Sequence, residues 1–135
     1  MAKEHTRFGV YVPPDLAQEL NKLMKSMGIE SRSKLLQEAL RLFIAENRWN
    51  IAQNVVGAVV VLYNHEVRGV DEELTNIQHR FLEIIVSALH VHIDRERCML
   101  VIAVRGNSER IKEFLKELHN IKGVILVRPA FIEAV

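Results

Sequence analysis

The sequence predicts an α+β protein in two parts, on three observations. A short alternating segment, Thr6–Val12, precedes two segments with apolar residues at helical spacing. Beyond about residue 50 the chain alternates strand-like and helix-like segments in the order βαββαβ. Its 135 residues, 49% hydrophobic and 26% charged, have globular composition and allow one ordinary domain or two small ones.

In the first segment Phe8, Val10 and Val12 fall on one face and Arg7, Gly9 and Tyr11 on the other. Pro13-Pro14-Asp15 ends this strand and opens a helix, because proline suits the first helical turn and an acid suits its positive end. Leu16, Leu20, Leu23, Met24 and Met27 mark the helix, and Gly28 is placed to close it. A second helix is expected from about Ser31 to Arg48, with Leu36, Ala39, Leu40, Phe43 and Ile44 on its apolar side. The polar stretch Asn50-Ile51-Ala52-Gln53-Asn54 is the expected boundary, giving domains at 1–50 and 51–135.

The second domain is expected to have strands near 55–64, 87–93, 98–105 and 123–132, with helices near 70–85 and 108–120. This is the ferredoxin-like split unit. The segments Ser87–Ile93 and Cys98–Val104 are apolar on both faces, so the sheet face without helices calls for cover by a second subunit.

Composition excludes several classes. A net charge of +1 gives no bulk basic field, so any nucleic-acid site is local. The longest apolar run, Val55–Tyr63, is about half of what a membrane helix needs. The N-terminus has no apolar signal region, and a single cysteine, Cys98, fits a reducing cytoplasm.

A lone strand leaves its backbone groups unpaired, and two short helices bury little core. Pairing Thr6–Val12 with its copy from a second chain answers both problems. The resulting antiparallel ribbon fits the DNA major groove and presents Arg7, Gly9 and Tyr11. The bland alternative is an ordinary edge strand. The order strand, helix, glycine turn, Ser31-Arg32-Ser33, helix resembles the ribbon-helix-helix family of DNA-binding proteins over residues 6–50. That resemblance implies that the start of the second helix docks on a DNA phosphate. Free helix amides beside Arg32, Ser33 and Lys34 suit that task.

Metal-ligand chemistry gathers in one short span. His90 and His92 are two apart on a strand and share a face. A loop over residues 93–97 would bring Cys98 opposite His92 on that face. His79, after Gln78, is a fourth candidate. Such ligands suit nickel, copper or zinc rather than magnesium or calcium. Against this stands the ordinary reading of a structural His-x-His strand and a small buried cysteine. His65, at a strand end, is an alternative ligand or an orienting residue. His5 and His119 are expected to face solvent.

The two halves together, with Gln-His-x10-His-x-His-x5-Cys, resemble the nickel-responsive regulator family over about residues 6–130. The resemblance implies an ACT-like regulatory domain in a homotetramer, a dimer of dimers. It implies one square-planar Ni(II) per chain at the tetramer interface, bound by His90, His92 and Cys98 of one subunit and His79 of a neighbour. Gln78 matches a position that orients ligands. It further implies operator DNA with inverted-repeat half-sites and repression of nickel uptake, without enzymatic activity.

Departures from the family pattern bear on DNA reading. The reading strand often presents Arg, Thr, Thr, where this chain has Arg7, Gly9 and Tyr11, so the operator sequence does not carry over. An acidic residue often follows Arg-Ser, where this chain has Lys34, which puts any cation site built on that acid in doubt. Three rival readings remain at this level. A DNA-binding regulator could sense a small molecule such as an amino acid through its ACT-like half. A zinc hydrolase would need a general base, for which only Glu83 offers itself. An antitoxin-like module would have no use for the βαββαβ half.

Overall fold

Helix α1 (Pro14–Met27) begins at the proline pair, with Asp15 in its first turn, and ends at Gly28. There φ is 69°, the left-handed conformation that only glycine adopts cheaply. The amides of Gly28 and Ile29 bond back to the carbonyls of Lys25 and Met24. Helix α2 (Arg32–Asn47) is capped by Ser31, whose Oγ accepts the Lys34 N–H at 3.2 Å. The computed structural model describes residues 3–134, and the chain divides into two compact units, Met1–Leu42 and Phe43–Val135.

The first unit has almost no core of its own: Met24 is its one buried hydrophobic residue among those described. Leu36 and Leu40 on the apolar side of α2 remain exposed. Thr6–Val12, expected to pair with its copy from a second chain, has no ladder within the single chain. A strand is defined by its ladder, and this segment has no partner within the chain. The alternation survives all the same. Phe8, Val10 and Val12 line a groove with Leu20, Leu35 and Leu36, while Arg7, Gly9 and Tyr11 are exposed.

The second unit starts within α2 and continues through a 3-10 turn, Arg48–Ile51. The expected connection over residues 50–54 therefore lies inside it. Trp49 is buried edge-on against Phe131, centroids 4.9 Å apart, and the Ser108 hydroxyl donates to the Ala52 carbonyl at 2.6 Å.

The remaining elements follow the order βαββαβ: β1 (Asn54–Asn64), α3 (Val70–Arg80), β2 (Ile85–His92), β3 (Arg97–Asn107), α4 (Ser108–Asn120) and β4 (Val124–Glu133). The sheet order is β2-β3-β1-β4 and every pairing is antiparallel. Period 2 sends Val55, Val59, Val61 and Tyr63 of β1 to one face, beside Cys98, Leu100, Ile102 and Val104 of β3. Val70, Leu74 and Ile77 of α3 and Ile111, Phe114 and Leu118 of α4 complete that core. Gly57 is required on this face, where a Cβ would overlap the carbonyl of Ala130.

The opposite face carries Val56, Val60 and Leu62 with Met99 and Val101, none fully buried, and Leu89 and Ile132 are largely exposed. Helix α3 is shorter than the expected 70–85. Phe81 and Ile84 keep helical spacing and are buried, but they lie in a turn. The Ile84 carbonyl instead accepts from Arg105 N–H, so the chain is already joining the sheet.

Candidate metal centre

The β2–β3 hairpin builds the site. Asp94 shapes its turn: one carboxylate oxygen accepts the amides of Glu96 and Arg97 at 3.0 and 2.8 Å. The other accepts the Arg97 guanidinium at 2.8 and 2.6 Å. These bonds, led by the Arg97 side chain, hold the Asp94 carboxyl down to about 2. The turn sets the register in which His92 faces Cys98 and His90 faces Leu100.

Directly opposed residues share a face, and so do residues two apart. His90, His92 and Cys98 therefore converge at the edge of the helix-covered face. Their ligand atoms lie within 4.8 Å of one another, and they are the one such group among the described residues. Cys98 Sγ is 3.4 Å from His92 Nδ1, and the two imidazole centroids are 4.7 Å apart. The cysteine is buried while both histidines are exposed. One buried sulfur and two accessible imidazoles suit a borderline-to-soft cation, and Ni(II) fits this donor set. Three such side chains are one fewer than the four donors that these cations ordinarily take.

A feature absent from the sequence reading supports His90. Tyr63 is the β1 partner of Cys98 and is buried. Its hydroxyl donates to Asp71 Oδ1 at 3.1 Å and lies 3.1 Å from His90 Nε2, and the two rings stack. Burial, and then the Asp71 carboxylate, raise the phenol far above its ordinary pKa, so it stays a neutral hydroxyl. Tyr63 thus ties the start of α3 to one imidazole of the group. The sequence carried no signal for it, since Tyr63 ends the unbroken apolar run Val55–Tyr63, in which neither face is marked as the core.

The other candidates sit apart. His79 lies exposed in the last turn of α3, outside the three-residue group. Gln78 is half-buried, and its amide donates to the Leu74 carbonyl at 3.1 Å. His65 bonds through Nε2 to the Arg95 carbonyl, and its amide donates to the Glu96 carbonyl at 2.8 Å. It braces the hairpin turn and lies outside the ligand group. In the first unit Arg7, Gly9, Tyr11, Arg32, Ser33 and Lys34 are all exposed. His5 and His119 face solvent. Glu83, the one candidate base, is engaged by Arg110, which lowers its pKa. No helix of the described residues is long and apolar enough to cross a membrane.

Comparison with known proteins agrees with both units. Residues 4–47 match the ribbon-helix-helix domain family, and residues 56–132 match the family described as the NikR C terminal nickel binding domain. The second unit also resembles the ACT domain from GTP pyrophosphokinase of Chlorobium tepidum, with a TM-score of 0.51 at 12% identity over 57% of this chain and 99% of that one. A ribbon-helix-helix DNA-binding domain joined to an ACT-like metal-binding domain defines a transcriptional regulator, not an enzyme.

A protein of Dictyoglomus thermophilum is 41% identical over 119 residues, 87% of this chain and 88% of its own. One of Pyrococcus abyssi is 35% identical over 87% of this chain and 86% of its own. One of Methanocaldococcus jannaschii is 35% identical over 93% and 90%. All three bear nickel-responsive regulator as a provisional name. The chain belongs to the nickel-responsive regulator family.

Proposed function

We propose that this chain represses nickel-uptake genes by binding operator DNA more tightly when nickel is bound. The observation that carries the reading is the convergence of His90, His92 and Cys98 within 4.8 Å in a chain that also holds a ribbon-helix-helix domain. One Ni(II) per chain is held by these three residues and by His79 of a second subunit, with Gln78 and His65 supporting from outside the ligand set. The incomplete donor set supports a shared site, and the exposed position of His79 supports its service in trans.

The working assembly is a homotetramer, a dimer of dimers. Two sets of unpartnered surfaces support it: the nearly coreless first unit and the uncovered apolar sheet face around Leu62, Met99 and Val101. Residues 1–50 act as the DNA-binding part and 51–135 as the nickel-binding part. Arg7, Gly9 and Tyr11 face the bases from the paired ribbon, and Arg32, Ser33 and Lys34 hold phosphate at the start of α2. Two ribbons in one tetramer call for two half-sites in an inverted repeat, in the cytoplasm where DNA and a reduced cysteine are both available. Nickel favours DNA binding only by binding the DNA-competent arrangement better.

The test is operator selection from random DNA with and without Ni(II), followed by binding titrations on the selected sequence. Enrichment of an inverted repeat only with nickel supports the reading. Equal enrichment without nickel would overturn it.

A further inference from the structure

We propose that Arg110, together with the Arg80–Glu117 ion pair, positions His79 for nickel. This inference rests on the reading of His79 as a ligand supplied to another subunit. His79 is the penultimate residue of α3, and the residues just after it, Arg80 and Phe81, are fastened to α4. Arg110 Nη2 donates to the Arg80 carbonyl at 2.9 Å and Nη1 to Glu113 at 2.7 Å, while Nε is bonded to Glu83. The same guanidinium lies 4.0 Å over the centroid of Phe81. Phe81 is itself buried against Phe114, centroids 5.2 Å apart. The side chain of Arg80 reaches the same helix, pairing with Glu117 at 2.8 Å.

A helix C-terminus normally leaves its last carbonyls unpaired and frays. Here a cation from α4 satisfies the Arg80 carbonyl and sits at the negative end of the helix. Partly exposed ion pairs of this kind contribute little to stability. Three attachments of one planar guanidinium to the turn after His79, through the Arg80 carbonyl, the Phe81 ring and Glu83, instead fix where the backbone of His79 stands, while Glu113 steadies Arg110 from its own helix. A ligand offered across a subunit boundary gains from such preorganisation, because the cost of ordering it is met before the metal arrives. Lysine at 110 would keep the charge but lose the fork and the stacking face.

The experiment is anaerobic competition for Ni(II) between the full-length protein and a chelator, read by the sulfur-to-nickel charge-transfer band. The parent, His79→Ala, Arg110→Lys, Glu117→Gln and the double variant His79→Ala/Arg110→Lys are compared, with far-UV dichroism and assembly mass as controls. Arg110→Lys should weaken nickel binding about tenfold, the range seen when a residue supporting a ligand is lost. It should weaken it no further in the His79→Ala background, because a positioning residue has nothing left to position. Parent-like affinity in Arg110→Lys, or full additivity in the double variant, would overturn the proposal. Should Arg110→Lys fail to fold, the half-buried Glu117→Gln is read instead: weaker nickel binding supports the proposal, and parent affinity refutes it. Parent-like affinity in His79→Ala removes the ligand reading itself, whereas a weak His79→Ala beside an unaffected Arg110→Lys removes only the positioning role.

Discussion

Cys98 stands directly across the β2–β3 ladder from His92, with its sulfur 3.4 Å from the imidazole Nδ1. The Asp94 turn sets the register that brings the pair together. Cys98→Ser nearly keeps the shape and removes the sulfur. Nickel titration of that variant should show no sulfur-to-nickel charge-transfer absorption and weaker binding. An unchanged spectrum would take Cys98 out of the ligand set.

Tyr63 links Asp71 to His90, which makes it a test of support around the group. Tyr63→Phe keeps the ring and its stacking and deletes the hydroxyl. A net hydrogen bond contributes about 1 kcal/mol, so denaturant unfolding of the metal-free protein should show a loss of that order. Nickel affinity should fall roughly tenfold because His90 is less well oriented. Parent-like affinity would mean that Tyr63 serves only the fold.

Acid sensitivity should be traceable to the hairpin turn. Asp94 is held down to about 2 from an ordinary value of 3.8. Its folded pKa is depressed, so its contribution is complete above the ordinary value and is lost as pH falls towards about 2. Asp94→Asn should therefore unfold more easily than the parent near neutrality, and the two should converge as pH approaches 2. A gap between them that stays constant from pH 6 to pH 2 would contradict this account.

Period 2 made much of the site legible. It put His90 and His92 on one face, and the short loop before Cys98 then placed the thiol across from His92. The same periodicity gave the four strands and the apolar character of both sheet faces. It failed where helical spacing continued without a helix: Phe81 and Ile84 are spaced like α3 residues but are buried in the turn beyond it. Tyr63 and Asp71 meet through the β1–β3 register and the seat of α3, which local pattern does not specify. Arg110 reaching the Arg80 carbonyl depends likewise on how α4 packs beside the end of α3. The ribbon strand was legible as alternation, but no ladder defines it in one chain, because it has no pairing partner there.

The two kinds of DNA contact should separate experimentally. Arg7 is exposed and lies outside the Phe8–Val10–Val12 groove, on the side that the proposed paired ribbon would turn to the bases. A bidentate base contact contributes about 1–3 kcal/mol of discrimination, so Arg7→Ala should weaken binding to the selected operator by that amount. Non-specific binding should change far less. Arg32 opens α2 beside the Ser31 cap, where backbone amides and a cation together favour a phosphate. Arg32→Ala should weaken operator and random DNA alike and flatten the salt dependence by roughly one phosphate contact. Both effects are measured by binding titrations over a salt series with nickel present throughout. Neither substitution should alter nickel affinity in the absence of DNA, since both residues lie in the first unit and the ligand group lies in the second. Equal losses on operator and random DNA for Arg7→Ala would place that residue on the backbone and move the reading face elsewhere.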